Sequence, residues 1–254
     1  MKHFDAEYLS RRLGAEFDVR AFSVCPSTNA LLRREARLGA REGTLFVAER
    51  QSEGRGRLGR SFFSPAESGV YFSLLLSPDT SADPTHQTAL SALCVCEAAE
   101  ALGCPECRIK WVNDVYADGK KCCGILTQGI YTKERLSAAV VGIGANLLPP
   151  KEGFPEEFAA RAGALFDADR PALREDFVFE VASRLFARRG RRAAEILDEY
   201  RQRSCVLGRR VEVLQYGTAF FAEALEIDED LRLVVRDEDG RLLRLNSEEV
   251  RLVL

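Results

Sequence analysis

The chain has 254 residues, of which 30% are charged, and its formal net charge is -3. This length suffices for one large domain, or for one main domain with a small appendix. The near-balanced charge excludes a global attraction to nucleic acid or acidic membranes, so any basic site must be argued from local clusters. No stretch approaches the run of about 20 apolar residues that a bilayer span needs, and the N-terminus lacks an apolar signal-peptide core. We therefore predict a cytoplasmic, soluble protein.

The first predicted elements are a helix, a strand and a second helix. Ser27 and Thr28 are suited to capping, and apolar residues at helical spacing follow them, which predicts a helix that begins near Asn29. Residues 43–50 are short and β-rich, as in a strand. Residues 87–102 are nearly all apolar and predict a helix buried in the middle of the domain.

The middle of the chain is predicted to form a meander. Residues 107–148 contain three β-rich runs, separated by Asp118-Gly119 and by Lys133-Glu134. This pattern is typical of consecutive antiparallel strands joined by hairpin turns.

The last part of the chain changes from helices to strands. Residues 171–190 and 191–203 show helical patterns, whereas short strands separated by turn residues begin at Val206. We predict an α+β fold, with a central mixed or antiparallel sheet flanked by helices in residues 1–205. Residues 206–254 are predicted to form a small β-barrel.

Cysteine and histidine supply little chemistry in this sequence. Cys104 and Cys107 form a C-x-x-C, but no second pair at zinc-binding spacing accompanies them and no thioredoxin-like strand precedes them. The eight cysteines are therefore predicted to be small buried hydrophobic residues. His3 and His86 are the only histidines, so a histidine-based hydrolase is poorly supplied with general bases.

The segment GRGRLGR, residues 54–60, contains the glycine spacing of a dinucleotide-binding turn. Such a turn must lie between a strand and the start of a helix, whose N-terminus binds the pyrophosphate. Here residues 61–78 predict a loop and then a strand. Arg55, Arg57 and Arg60 also occupy positions that are usually uncharged. We therefore reject the dinucleotide interpretation.

Five motifs carry a resemblance to a known family. They occur in the order STN (27–29), QSEGRGRLGRSFFSP (51–65), KWVNDV (110–115), GKKCCGIL (119–126) and VVGIGANL (140–147). Together they resemble the catalytic domain of biotin protein ligases, and the C-terminal strands resemble the SH3-like β-barrel that closes those proteins. The chain differs from the common pattern at Val112, where proline is usual, and at Phe62, where tryptophan is familiar.

The resemblance implies a fold and an activity. The fold is the biotin/lipoate ligase catalytic domain, which is like that of class II aminoacyl-tRNA synthetases. The activity is the conversion of biotin and ATP, with Mg²⁺, into biotinyl-5′-adenylate and pyrophosphate, followed by transfer of biotin to a lysine of a biotin carboxyl carrier protein of a biotin-dependent carboxylase. Because only about 26 residues precede Ser27, too few for a three-helix DNA-binding unit, the resemblance is to the monofunctional class. A homodimer is left open.

The resemblance also implies a role for particular residues. The implied catalytic residues are Lys121, Arg57 and Arg55. The implied biotin-binding residues are Ser27, Thr28, Asn29, Gln51, Gly54, Arg55, Arg57, Lys121 and Gly124. The implied ATP-binding residues are Arg57, Arg60, Phe62, Lys110, Asn113 and Asn146. Asp114 is the expected metal ligand.

These residue types suit the implied chemistry. Bringing a carboxylate to a polyphosphate needs fixed positive charge and a divalent metal more than a titrating base. We expect residues 54–60, called the arginine-glycine loop below, to act as a mobile lid that orders over the ligand. Lys121 is expected at the biotin carboxylate, whereas Lys120 is expected in a turn. Trp111 is expected to pack in the core.

Three alternatives remain at this stage. A lipoate ligase would share the catalytic fold, although the arginine-glycine loop together with the C-terminal barrel favours biotin. A nucleic-acid-binding module could use the same arginines, but the net charge argues against it. A catalytically silent biotin sensor is disfavoured by the intact Lys121 and arginine set.

Overall fold

The computed structural model describes residues 4–77, 83–215 and 217–246, and the backbone of 250–253. His3 and the part of the predicted C-terminal strands at 247–249 lie outside the described residues.

A seven-stranded mixed sheet forms the centre of the larger part of the chain. Its strands are β1 (Asp18–Cys25), β2 (Thr44–Gln51), β3 (Gly69–Leu76), β4 (Arg108–Lys110), β5 (Asp114–Ala117), β6 (Lys120–Thr132) and β7 (Arg135–Asn146). They lie in the order β1-β2-β3-β7-β6-β5-β4, with β1 parallel to β2 and every other neighbouring pair antiparallel. The predicted meander of β5, β6 and β7 is confirmed, and its turns have positive φ at the four residues Asp118, Gly119, Lys133 and Glu134.

Six α-helices are described around this sheet. They are α1 (Ala6–Leu13), α2 (Thr28–Arg37), α3 (Pro84–Ala101), α4 (Glu156–Ala159), α5 (Leu173–Arg188) and α6 (Leu197–Arg203). The predictions for α2, α3, α5 and α6 are confirmed, and α3 is buried around almost its whole circumference because α5 and the sheet enclose it. The sequence analysis missed α1 and β1.

The two faces of the sheet are covered differently. Helices α3 and α5 pack against one face, where the buried side chains of β6 and β7 meet them. Helix α2 covers the other face over β2, β3 and β7, with Leu32 packed among Phe46, Leu75 and Val140. Because α2 is only ten residues long, it leaves the same face open over β6, β5 and β4.

A smaller antiparallel sheet follows α6. Its strands are β8 (Arg210–Gln215), β9 (Thr218–Ile227), β10 (Leu233–Asp237), β11 (Leu242–Leu245) and β12 (Val250–Val253), in the order β11-β10-β9-β8-β12. Its buried residues, such as Val211 and Leu233, belong to the same hydrophobic cluster as those of α3 and α5. The small C-terminal sheet is thus confirmed, whereas a closed SH3-like barrel and a boundary near residue 205 stay predictions. Within the described ranges, no helix has the length and apolar character needed to cross a membrane.

Candidate active site

A cavity of about 720 Å³ lies on the open face of the large sheet and contains most of the motif residues. Its floor crosses four strands, and the strand register fixes which residues face it. Gly142 pairs with Leu126 and Gly144 with Gly124, so glycines form the floor over β7 and β6. Lys110 pairs with Asp114 in the hairpin of β4 and β5, which continues the floor with charged groups.

Polar groups converge at the end of the cavity beside α2. Ser27 caps α2, as predicted, since its Oγ accepts a hydrogen bond from the backbone of Ala30. The Thr28 backbone N–H donates to Gln51 Oε1 over 2.9 Å, and the Thr28 and Ser73 hydroxyls are 2.8 Å apart. Asn29 Nδ2 donates to the Leu126 carbonyl over 2.9 Å. A buried ligand with amide-like groups would find matching donors and acceptors here.

Phe62 lies on the glycine floor of the cavity. Its ring lies over the glycine floor so closely that a Cβ added at Gly144 would meet Phe62 Cε1 at 2.5 Å. A Cβ at Gly124 would meet Phe62 Cε2 at 3.0 Å. A Cβ at Gly144 would therefore force the Phe62 ring to shift, and a Cβ at Gly124 would make a tighter contact than is usual. The Phe62 ring also packs edge-to-face on Tyr71, with ring centroids 6.4 Å apart.

The arginine-glycine loop is folded as a tight hairpin above the cavity. Gly56 N–H donates to the Arg60 carbonyl, and Phe62 N–H donates to the Gly54 carbonyl, each over 2.8 Å. The turn at its tip has left-handed backbone angles at Leu58 (φ 56) and Gly59 (φ 71), which cost a residue with a Cβ more than a glycine. The hairpin fixes the loop geometry, while the lid motion stays a prediction.

The three loop arginines take different positions. Arg57 reaches into the cavity, where its Nη1 donates to Asn113 Oδ1 over 2.7 Å. Arg55 lies at the outer edge, largely exposed and 3.9 Å from a Glu53 carboxylate oxygen. Arg60 is exposed and lines the outer part of the cavity. The structure therefore brings Arg57 to the centre of the site and leaves the other two at its rim.

A hydrogen-bonded chain joins the two central cations. Lys121 Nζ lies 2.7 Å from Asp114 Oδ1, and Asn113 Nδ2 donates to the same oxygen over 3.0 Å. Because Asn113 also accepts from Arg57, the chain runs from Arg57 through Asn113 and Asp114 to Lys121. It holds the guanidinium and the ammonium group together in one charge-assisted chain of hydrogen bonds.

An irregularity in the pairing of β5 with β6 directs Lys121 into the cavity. Strict alternation from Gly124 would place Lys120 on the cavity face and Lys121 on the other. The register instead shifts after Val115, so that Lys121 pairs with Tyr116 and lines the cavity. Lys120 is exposed at the first position of β6, rather than in the predicted turn.

Residues 160–163 form an edge of the site that the sequence analysis missed. Lys121 N–H donates to the Arg161 carbonyl over 2.8 Å, and Gly163 N–H donates to the Lys121 carbonyl over 2.9 Å. Asn146, an expected ATP-side residue, donates through Nδ2 to the Gly163 carbonyl over 3.1 Å. No motif marks these residues, because they are held mainly through backbone groups.

Hydrogen bonds to two distant parts of the chain fix the KWVND turn, residues 110–114. Trp111 is 5% exposed, which confirms its predicted burial, and its Nε1 donates to the Leu231 carbonyl of the C-terminal part over 2.9 Å. The Tyr200 hydroxyl donates to the Val112 carbonyl over 2.9 Å. Lys110 Nζ lies over the Tyr116 ring, 5.7 Å from its centroid. The turn that presents Asn113 is thus rigidly supported.

The cysteines behave mainly as predicted. Seven of the eight are buried, and Cys205 is half-buried at the wall of the cavity. Burial raises the pKa of Cys122 to about 12, so its thiol is neutral at physiological pH. Cys104 and Cys107 are free thiols with Sγ atoms 3.7 Å apart. Among the described residues, no group of three or more histidine, cysteine, aspartate or glutamate side chains is arranged to hold a metal ion.

The fold and the site define a class of protein: a mixed α+β domain with a cationic, hydrogen-bonding cavity on one face of its central sheet. Residues 21–146 match the model of the biotin/lipoate A/B protein ligase family. The chain is 31% identical to the bifunctional ligase/repressor BirA of Bacillus subtilis over 90% of this chain and 72% of BirA. It is also 31% identical to the biotin--[acetyl-CoA-carboxylase] ligase of Mycobacterium tuberculosis, over 88% of this chain and 85% of that protein.

Comparison with a solved structure indicates the same family. The biotin protein ligase from Aquifex aeolicus in complex with biotin and ATP superposes with a TM-score of 0.75 at 28% identity, over 93% of this chain and 98% of that one. The chain therefore belongs to the biotin protein ligase family, within the wider biotin/lipoate A/B group, and is a ligase.

Proposed function

We propose that the protein joins biotin to a carrier protein in two steps. In the first step, a biotin carboxylate oxygen attacks the α-phosphorus of ATP, and the bond from that phosphorus to the β-phosphate oxygen breaks. Biotinyl-5′-adenylate and pyrophosphate result. In the second, a neutral lysine amine of a biotin carboxyl carrier domain attacks the acyl carbon, AMP leaves, and the amine loses a proton to solvent. The Aquifex complex, which holds biotin and ATP, supports this choice of substrates.

The observation that carries this proposal is the chain from Arg57 to Lys121. It places two cations together at the centre of a cavity whose polar end, beside α2, is enclosed. Lys121 would neutralise the biotin carboxylate, and Arg57 would stabilise the charge that develops on the α-phosphate. Fixed cations of this kind stabilise such a transition state without reorganisation.

The end of the cavity beside α2 suits the ureido ring of biotin. Thr28 and Gln51 offer hydroxyl and amide groups, and Asn29 lies against the glycine floor. Phe62 would cover the apolar part of the ligand. A ring with one carbonyl and two N–H groups can satisfy both kinds of partner.

Asp114 fits a magnesium site of the common kind. The ion pair with Lys121 and the hydrogen bond from Asn113 both involve Oδ1, so Oδ2 is the oxygen that would serve as a carboxylate ligand. Mg²⁺ is often held by one or two carboxylates together with substrate phosphates. When bound, Mg²⁺ would neutralise phosphate oxygens, while Asp114 orients Lys121.

The test is biotin-dependent release of pyrophosphate from ATP by purified protein, followed by intact-mass spectrometry of a carrier domain. We expect pyrophosphate release and a single biotin adduct on one lysine. The absence of an adduct, where a known ligase produces one, would refute the proposal.

The lipoate alternative is tested in parallel by thermal shift, since a bound ligand raises the unfolding temperature. Stabilisation by lipoate but not biotin would favour it.

A further inference from the structure

Ser73 is a small polar residue in the middle of the buried strand β3. The strand reads GVYFSLLL, and all of its residues are buried, Ser73 completely. Because side chains alternate along a strand, Ser73 shares a face with Tyr71 and Leu75. Leu75 packs beneath α2, so Ser73 lies on the side of the sheet that α2 covers. A hydroxyl buried in such surroundings is costly unless it is hydrogen-bonded.

The Ser73 hydroxyl is hydrogen-bonded to the Thr28 hydroxyl, 2.8 Å away. Thr28 lines the cavity at the start of α2, and Ser73 lies behind it in β3. The two residues are 45 positions apart in the chain, and Ser73 belongs to none of the five motifs. Any effect of the Ser73 hydroxyl on a ligand is therefore exerted through Thr28.

The available partners decide which of the two hydroxyl groups donates. The Thr28 hydroxyl has a second partner, since it donates to Gln51 Oε1 over 3.3 Å. For the Ser73 proton, the described residues offer one acceptor, the Thr28 oxygen. If Thr28 donated to Ser73, the buried Ser73 proton would be left without an acceptor, which is unfavourable. Ser73 therefore donates to Thr28, and Thr28 donates to Gln51.

The same direction of donation continues along the polar end of the cavity. Gln51 Nε2 donates to Ser64 Oγ over 3.2 Å, and the Ser64 hydroxyl donates to the Phe62 carbonyl over 3.0 Å. The Gln51 amide is fixed in this orientation because its Oε1 also accepts the Thr28 backbone N–H. Each hydroxyl proton from Ser73 to Ser64 thus has an acceptor within the protein.

A hydroxyl group whose proton is already donated presents a lone pair to a ligand. The Thr28 oxygen accepts one hydrogen bond from Ser73 and can accept a second. Its neighbour Asn29 also lines the cavity, and Asn29 Oδ1 is buried without a hydrogen-bond partner among the described residues. Two acceptors on consecutive residues suit a ring that carries two N–H groups.

We propose that Ser73 is a positioning residue that makes the Thr28 hydroxyl an acceptor for one ureido N–H of biotin. This inference rests on the proposed function and names a residue that determines its specificity. The dithiolane ring of lipoate has no N–H group, so it would leave the Thr28 oxygen unpaired. A site built to pair a donor rejects an analogue that lacks it. Ser73 thereby favours biotin over lipoate.

Calorimetric titration of biotin compares Ser73→Ala with Ser91→Ala. Ser91 is the matched control, because it is also completely buried and its hydroxyl donates to the Gln87 carbonyl within α3. Ser73→Ala should raise the Kd of biotin about 3- to 10-fold, as for the loss of one hydrogen bond, without changing the KM for ATP. Ser91→Ala should change neither constant. Ser73→Cys keeps a weak donor and should give an intermediate Kd.

A double-mutant cycle tests whether Ser73 acts through Thr28. Thr28→Val removes the hydroxyl and keeps the branched shape, so it should itself weaken biotin binding. Adding Ser73→Ala to Thr28→Val should cause no further loss, because the group that Ser73 orients is gone. Additive losses would overturn the inference, since they would show that Ser73 affects the ligand by another route.

Analogues of biotin test the same contact from the side of the ligand. Two cyclic carbamates, each with an oxygen in place of one ring N–H, should both bind more weakly than biotin. The loss of affinity caused by Ser73→Ala should vanish for the carbamate that lacks the N–H facing Thr28, and persist for the other. An equal loss for both carbamates would overturn the inference and leave Ser73 with a packing role.

The titration also separates this inference from the proposed function. Unchanged biotin affinity in Ser73→Ala would overturn the inference, while pyrophosphate release and labelling of the carrier would still support the ligase reaction. Conversely, if the unaltered protein bound biotin but released no pyrophosphate, the proposed function would fail. A loss of affinity in Ser73→Ala that depends on one ureido N–H would still support the role of Ser73.

Discussion

Replacing Gly144 by alanine tests whether Phe62 closes on the glycine floor. The new Cβ would lie 2.5 Å from Cε1, 2.9 Å from Cζ and 3.1 Å from Cδ1 of the ring. Carbon atoms in contact normally lie about 3.5–4.0 Å apart, so the ring must retreat by roughly 1 Å. The backbone of Phe62 is tied to the Gly54 carbonyl, so the strain cannot be relieved simply by moving the chain.

Over-packing of this kind costs about 1–3 kcal/mol. We therefore expect Gly144→Ala to lower the free energy of unfolding by that amount in urea denaturation. In the background of Phe62→Ala the same substitution should cost under about 0.5 kcal/mol, because the clashing ring is gone. Gly190→Ala is the control, since its Cβ would meet nothing within 4 Å.

The double-mutant cycle decides between two explanations. A coupling of about 1 kcal/mol or more between the two positions would show that the ring packs on Gly144. Equal losses with and without the ring would refute the reasoning. Biotin-dependent pyrophosphate release should fall in Gly144→Ala and not in Gly190→Ala.

Three further predictions concern charged groups. Lys121→Ala should slow adenylation by about 10²-fold or more, as when one electrostatic stabiliser is lost, whereas Lys120→Ala should change it little; equal effects in rapid-quench assays would contradict the assignment. Trypsin should cut the arginine-glycine loop readily unless biotin and ATP are present, and Arg57→Gly should release adenylate that labels bystander lysines; equal cleavage with no labelling would indicate a static turn. The hydrogen bond from Arg203 holds the pKa of Glu100 below its ordinary value of 4.5, so this pair stabilises the fold above that pH. The unfolding free energy lost in Glu100→Gln should therefore shrink as the pH falls below 4.5, and a pH-independent loss would argue against the pair.

The strands of the site could be read from the sequence, because turn residues separate β-rich runs. The pattern could not show which lysine enters the cavity. Alternation from Gly124 would select Lys120, and only the resemblance selected Lys121. The structure explains why Lys121 enters the cavity. A shift in the register of β5 with β6 after Val115 reverses the face of the sheet on which Lys121 lies. Such a shift depends on pairing with a neighbouring strand, which one segment of sequence does not reveal.

Other features were missed for similar reasons. Strand β1 lies at an edge of the sheet, and its half-buried residues do not alternate regularly with exposed ones. Arg161 and Arg209 are distant in sequence and belong to no motif, so only the fold brings them to one cavity. The contact between Arg57 and Asn113 likewise joins residues 56 positions apart.

The bond between Trp111 and Leu231 bears on how this ligase could be divided into fragments. A cut after residue 205 would leave the indole N–H of Trp111 without its acceptor and expose apolar side chains on both pieces. The N-terminal piece would keep the bond from Tyr200 to the Val112 carbonyl but would lose the second hydrogen bond that supports the turn presenting Asn113. Fused to two proteins that meet in a cell, however, the pieces would be brought together and the turn rebuilt. A cut after residue 205 is therefore a rational way to divide the enzyme into two fragments. Recovered activity would then report that the two fused proteins are close together.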